Sequence, residues 1–216
     1  MEIMILIFQA WMLVMALGID AFACAFGYGA SKVKIPFKSV MLINIVTTVL
    51  LAAGLLFGTV IGNLLPEEAA VWIAFTILFT LGIYKLFDSA IKKIIRSRNG
   101  IDKNVEFSLL NLKFLLKIYA NPLEADIDHS KELSLREAVP LAIAVGLDGL
   151  SVGFGVGIAA TKANTFLIVG LSLISDILAV VFGCYFGNKI ANRLSLDLSW
   201  LSGIILISIA MAGVIF

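Results

Sequence analysis

Three aspartates, Asp20, Asp148 and Asp176, stand inside long apolar runs, where a charged side chain costs about 2.5 to 3.5 kcal/mol on insertion scales. An acid held in hydrocarbon at that cost commonly marks an ion or proton path. The plainer alternative is a protonated acid hydrogen-bonded to Ser, Thr or Asn of a neighbouring helix. No Lys or Arg is expected at comparable depth to pair with these acids. Helical spacing puts Asn44, Thr47 and Thr48 on one face, and Ser172, Ser175 and Asp176 on another. The expected metal ligands are therefore Asp20, Asp148, Asp176, Asn44, Thr47, Thr48 and Ser172. Oxygen donors with few imidazoles suit hard divalent cations such as Mn²⁺, Ca²⁺ or Mg²⁺, rather than Zn²⁺ or Cu⁺. Cys24, one turn after Asp20, is either a soft ligand or a small packing residue.

A second oxygen-rich set lies in a polar segment. Asp126, Asp128, Ser130, Ser134 and Glu137 occupy positions 1, 3, 5, 9 and 12 of a twelve-residue stretch, with Glu132 at position 7 and Leu133 at position 8. This is the spacing of a calcium loop of the EF-hand type, in which position 7 offers its carbonyl and the last glutamate binds with both oxygens. Lys131 stands at position 6, where glycine is expected for the sharp turn. Ser134 and Glu137 also have the spacing of a capping box, which would start a helix with no metal involved.

The elements that must position these residues follow from composition. The chain has 216 residues, 61% hydrophobic and 14% charged, with a mean hydropathy of +1.05. A soluble domain carries about 25% charged residues, so this is an all-α membrane protein. Apolar runs able to cross about 30 Å of hydrocarbon occur near 3–28, 38–62, 69–87, 137–160, 164–187 and 199–216, which predicts six transmembrane helices. Ala21-Phe22-Ala23 imitates a signal-peptide cleavage site, but Glu2 precedes the run and Asp20 interrupts it, so the segment reads as a retained span. Fifteen of the sixteen basic residues fall on one side when Lys85 is counted with the long third connection. Positive loops stay in the cytoplasm, which predicts a multi-pass protein of the cell membrane with both termini outside and the long loop cytoplasmic. Within that loop, 107–119 reads as an amphipathic helix on the membrane surface, and the bases Lys92 to Arg98 read as a topology anchor.

The two halves of the chain echo one another. Residues 16–29 align without gaps with 144–157, matching Ala, Gly, Asp, Phe, Gly and Gly in register, and Phe57-Gly-Thr-Val-Ile-Gly-Asn63 returns as Phe182-Gly-Cys-Tyr-Phe-Gly-Asn188. A unit of three spans must insert its copy upside down, and such inverted repeats build a site at the bilayer midplane. The expected organisation is a three-helix repeat over 1–88, a cytoplasmic loop over 89–136, and a second repeat over 137–216. Asp20 and Asp148 would face each other across the pseudo-two-fold axis. Gly18, Gly27, Gly29, Gly146, Gly155 and Gly157 are expected at close helix contacts.

The paired motifs Gly18-Ile-Asp20-Ala-Phe and Gly146-Leu-Asp148-Gly-Leu, the three-plus-three organisation and the charged central loop resemble the MntP/YtaF family, which holds manganese efflux pumps and a sporulation membrane protein branch. The resemblance covers nearly the whole chain. It implies a six-helix cation exporter of the LysE-type superfamily, with Asp20 and Asp148 as its intramembrane acids. The chain departs from the pump pattern at Thr47, where the pumps place a glutamate, and Asp176 is the acid available to compensate.

Function classes narrow accordingly. A single histidine, His129, makes a zinc hydrolase improbable, and no nucleophile–base pair or HExxH motif supports an enzyme. There is no basic stripe for nucleic acid, and both cysteines, Cys24 and Cys184, lie in apolar runs. No prosthetic group is implied. The leading reading is a secondary transporter exporting a divalent cation such as Mn²⁺ or Ca²⁺, with that ion and the lipid bilayer as partners and self-association left open. The alternative is a non-transporting, sporulation-associated scaffold with a metal-sensing loop.

Overall fold

The computed structural model describes residues 2–98, 118, 122–128, 130–159 and 165–190, together with five single positions between 204 and 211. The described chain is helical throughout: α1 (Glu2–Ala30), α2 (Phe37–Leu64), α3 (Glu67–Arg98), α4 (Leu135–Ala159) and α5 (Thr165–Ile190), with a short 3-10 turn at Pro122–Ala125. Four stretches, in α2 to α5, are long and apolar enough to cross a membrane, and Val14–Ala30 is a shorter apolar helix. Helix is the form such sequences must take in lipid, because it satisfies every backbone polar group within the segment.

Local chemistry sets the boundaries. α1 stops where Lys32 turns to a positive φ of 58°. The Lys32 and Val33 N–H groups then donate back to Gly29 and Tyr28, closing the helix as a Schellman motif. Pro36 and Pro66 precede α2 and α3, and their carbonyls accept from the Val40 and Ala70 N–H groups. α3 continues eleven residues past the expected 87, to Arg98. Ala90 to Arg98 are mostly good helix formers, and no Gly or Pro stops the helix before Gly100.

The helices pair in a crossed order. Gly54, Gly58 and Gly62 of α2 lie on the backbone at Leu150, Phe154 and Ile158 of α4, so these two helices run parallel. Gly18 opposes Ser175, while Gly183 and Gly187 lie on Phe22 and Phe26, so α1 and α5 are parallel too. α3 runs antiparallel to α4: Ala70 and Ala74 meet Ile158, and Leu78 meets Gly155. The main core joins Ala16, Leu51, Leu55, Leu78, Val152 and Val156, with Ala210 of the last expected span among them. Large apolar side chains such as Val49, Phe57, Leu64 and Phe166 face outward, as a lipid-facing surface requires.

Glycine is used here for close approach. A methyl added at Gly183 would stand 2.6 Å from the Phe22 carbonyl oxygen, and one at Gly62 or Gly153 2.7 Å from a carbonyl oxygen of the facing helix. Gly29 and Gly157 are in the same position, and Gly146 and Gly155 are closed by Leu50 and Leu78 side chains. Gly27 is not: a methyl there meets nothing within 4 Å, so its expected role at a helix contact is corrected. A methyl at Gly18 would meet the Ser175 hydroxyl at 3.0 Å and the Ala179 side chain at 3.9 Å, with no backbone of the facing helix as close.

The expected amphipathic helix at 107–119 lies outside the described residues apart from Ile118, which is buried beside Tyr28 and Leu133. The span expected at 199–216 is described only at Ile204, Ile207, Ser208, Ala210 and Met211, all helical.

Candidate functional site

The bundle interior is built around a cavity of about 50 Å³, room for a few waters or a partly hydrated ion. Asp20 reaches it from α1, Asn44 and Thr47 from α2, Asp148 from α4 and Asp176 from α5. Two expected ligands stay outside its lining. Ser172 is fully buried and its hydroxyl donates to the Val169 carbonyl at 3.0 Å. Thr48 is buried next to Thr47, with no hydrogen-bond partner for its Oγ1. Helical spacing put both on the right face, but one turn or one residue decides whether a side chain meets the cavity.

The largest correction concerns charge. Lys85 is only 6% exposed; its ammonium donates to Asp20 Oδ2 and lies 3.5 Å from Asp148 Oδ2. A base therefore does lie at the depth of the acids. Lys85 stands 13 residues before the end of α3 and Asp148 13 residues after the start of α4, about 20 Å along antiparallel helices. The sequence signal was the lysine itself, within Gly82–Phe87 and ahead of the basic cluster. Two carboxylates in low dielectric call for a counter-charge, and Lys85 is the candidate that sits inside a span.

The remaining polar groups point inward. Asn44 donates its amide to the Leu173 carbonyl at 3.0 Å, which leaves its carbonyl oxygen without a partner, and Asp176 Oδ1 also has none. Thr47 donates to the Asn44 backbone carbonyl at 3.0 Å, and Cys24 lines the cavity wall. Asp20, Asp148 and Asp176 are not gathered within 4.8 Å of one another; among the described residues only Asp126, Asp128 and Glu137 are. Lys85 lies between Asp20 and Asp148, so these two stand as separate oxygen donors.

The second set is a compact loop leading into α4. Glu137 Oε1 accepts from the Ile127 and Asp128 N–H groups at 2.8 and 3.4 Å. Its Oε2 accepts from the Ser134 N–H at 3.0 Å, while the Glu137 N–H donates to Ser134 Oγ at 3.4 Å. The capping box is thus formed, and the same glutamate closes the loop. Ser130 donates its N–H to Asp128 Oδ1 at 2.9 Å and its hydroxyl to the Glu132 carbonyl at 3.0 Å. The Ser130 hydroxyl and backbone beside Asp128 hold its carboxyl below the usual carboxylate range. Lys131 adopts the left-handed backbone, φ 62°, the turn that position 6 demands. The loop docks on the α1–α2 junction: the Lys34 N–H donates to the Lys131 carbonyl at 2.8 Å and the Leu133 N–H donates to the Lys34 carbonyl at 2.9 Å, Ser39 Oγ donates to the Leu133 carbonyl at 2.7 Å, and the Tyr28 hydroxyl donates to the Pro122 carbonyl.

Comparison with known proteins supplies the family. Residues 65–213 match the family described as "Putative manganese efflux pump". Among curated proteins, the chain is 26% identical over 204 residues to "Probable sporulation protein YtaF" of Bacillus subtilis (strain 168), covering 93% of this chain and 95% of that one. It is also 26% identical over 202 residues to "Putative manganese efflux pump MntP" of Yersinia pestis (strain Pestoides F), covering 91% and 89%. No solved structure matches. With an apolar helical bundle and a family match over more than half its length, the chain is a membrane protein that belongs to the manganese efflux pump family.

Proposed function

We propose that this protein is a secondary transporter that exports a divalent metal cation, Mn²⁺ foremost, through the cavity between α1, α2, α4 and α5. The observation that carries the reading is the convergence of Asp20, Asp148 and Asp176 from three helices on one cavity, with Lys85 of a fourth reaching the first two. Membership of the manganese efflux pump family supports metal efflux.

Lys85 acts in this reading as a tethered cation. Without metal, its ammonium offsets one of the two aspartate charges and lowers the bare charge that the site holds in low dielectric. A divalent cation entering the cavity takes the same carboxylate oxygens, joined by the Asn44 carbonyl oxygen, and the ammonium withdraws. When the metal leaves, the ammonium returns, so the empty carrier changes conformation with a net charge of one rather than two on the Asp20 and Asp148 pair. Asp176, with its unpartnered oxygen, is the acid placed to take a proton during the cycle.

The crossed helix pairing supports an inverted repeat. If α1 corresponds to α4 and α2 to α5, the α1·α5 and α2·α4 pairs exchange under one two-fold operation, and both are parallel and glycine-seamed. Alternating access then comes from one half rocking on the other. The positive connection at Lys32, Lys34 and Lys38 and the loop docked against it lie at one end of the bundle, which this reading places in the cytoplasm with both termini outside.

A second reading is favoured by the 26% identity, along nearly the whole chain, to "Probable sporulation protein YtaF" and by the lysine paired with the aspartates. In it the ion cluster is static and the protein is a scaffold. Cellular Mn²⁺ efflux separates the two: expression of the protein lowers cell manganese if it exports, and Asp148→Asn abolishes this. A scaffold leaves cell manganese unchanged by either form.

A further inference from the structure

We propose that Asp126, Asp128 and Glu137 form a second divalent-cation site, of the Ca²⁺ class, in the loop that leads into α4 and separate from the cavity in the bundle. This inference does not depend on whether the bundle transports.

A carboxylate oxygen of each of the three residues lies within 4.8 Å of the others, the spacing at which one cation bridges all three. Proximity of acids alone would say little. The decisive group is Asp126, which is only 6% exposed and whose Oδ1 has no hydrogen-bond partner. Burying a carboxylate oxygen without a partner is costly, and a cation at the focus of the three acids would satisfy it. Among the described residues no lysine or arginine forms an ion pair with any of the three. Among the described residues their negative charge is met by backbone N–H groups and the Ser130 and Ser134 hydroxyls.

The donor set is all oxygen, which selects a hard cation. Asp126, Asp128 and Glu137 supply carboxylates at positions 1, 3 and 12 of the twelve-residue spacing, and the Glu132 carbonyl stands at position 7. The sharp turn at position 6 is made, with Lys131 at φ 62°. Several carboxylates in a loop with the twelve-residue calcium spacing favour Ca²⁺ over Mg²⁺, which demands a near-ideal octahedron and is held through one or two carboxylates. A lysine in the loop lowers affinity electrostatically, so binding belongs at the weak end of such sites, with Kd on the order of 10⁻⁴ to 10⁻³ M.

The test is calorimetric titration of Ca²⁺ into the full-length protein in lipid nanodiscs, comparing wild type with Asp128→Asn, Lys131→Gly and Asp148→Asn. Asp128 is exposed, so its substitution leaves the fold in place, which thermal unfolding checks. Saturable binding that Asp128→Asn weakens at least tenfold, that Lys131→Gly tightens severalfold, and that Asp148→Asn leaves intact is the expected result. Binding unaffected by Asp128→Asn, binding lost instead in Asp148→Asn, or no saturable binding up to about 10 mM, tenfold beyond the weak end of the range, overturns the site.

Discussion

Lys85 and Asp20, 65 positions apart in the chain, form an ion pair inside the bundle, with Asp148 a further 3.5 Å from the same ammonium. The arrangement explains how a membrane protein can keep two acids of its repeated motif at one depth. Each alone would be a heavy burden in hydrocarbon; together with the lysine they carry a net charge of one. The same arrangement makes the lysine a competitor for any cation that comes to the acids.

That competition can be measured as stability. Lys85→Met leaves two acids without their counter-charge and should destabilise the protein by about 3 kcal/mol, the order found for breaking buried pairs. Adding Asp20→Asn should recover a large part of the loss, because the uncompensated charge falls. Thermal unfolding of the four proteins in one lipid or detergent gives the coupling; purely additive losses would show that the pair is not a unit.

The glycine seams give a paired prediction. Gly58→Ala drives a methyl into the Phe154 carbonyl on α4 and should cost about 1 to 3 kcal/mol as the helices are forced apart. Gly27→Ala meets nothing within 4 Å and should be neutral or stabilise by up to about 1 kcal/mol through helix propensity. Equal effects on the midpoint of thermal unfolding would contradict the packing described.

Asp128 gives a pH prediction. Ser130 holds its carboxyl below the ordinary value of 3.8, so the ionised acid contributes to loop order above that value. The contribution is lost only as pH falls through the depressed folded value. Hydrogen-exchange protection of residues 126–128 and 130–134 should therefore persist as pH falls to the ordinary value of 3.8 and fade only below it, and Ser130→Ala should move the fading to higher pH. A loop that loses protection at the same pH in both proteins would sever the link between Ser130 and Asp128.

Much of this was legible in the sequence, and the misses have physical reasons. Five apolar runs became helices, four of them close to their expected bounds, because length and hydropathy nearly suffice to specify a helix in lipid. Asp20, Asp148 and Asp176 stood out because acids are rare there. Lys85 was assigned to the loop because it sits near the end of an apolar window with Lys92 and Lys93 close behind; α3 running on to Arg98 places it in the interior instead. The four-residue spacing of Gly54, Gly58 and Gly62, and of Gly183 and Gly187, was readable as close helix packing but went unused. Thr48 and Ser172 fell away because spacing fixes a helix face and not the cavity's edge. Asn44 and Thr47 meet the cavity because α2 presents that face to α4 and α5.

The most direct test of the central claim is divalent-cation flux into proteoliposomes holding the purified protein under an imposed pH gradient, with Mn²⁺, Ca²⁺ and Mg²⁺ compared. Mn²⁺ flux well above protein-free vesicles, abolished by Asp148→Asn and by Asp20→Asn in correctly inserted protein, is the predicted result. Folded protein that moves none of the three ions, or flux that both substitutions leave unchanged, would contradict the assignment of the aspartate pair to transport.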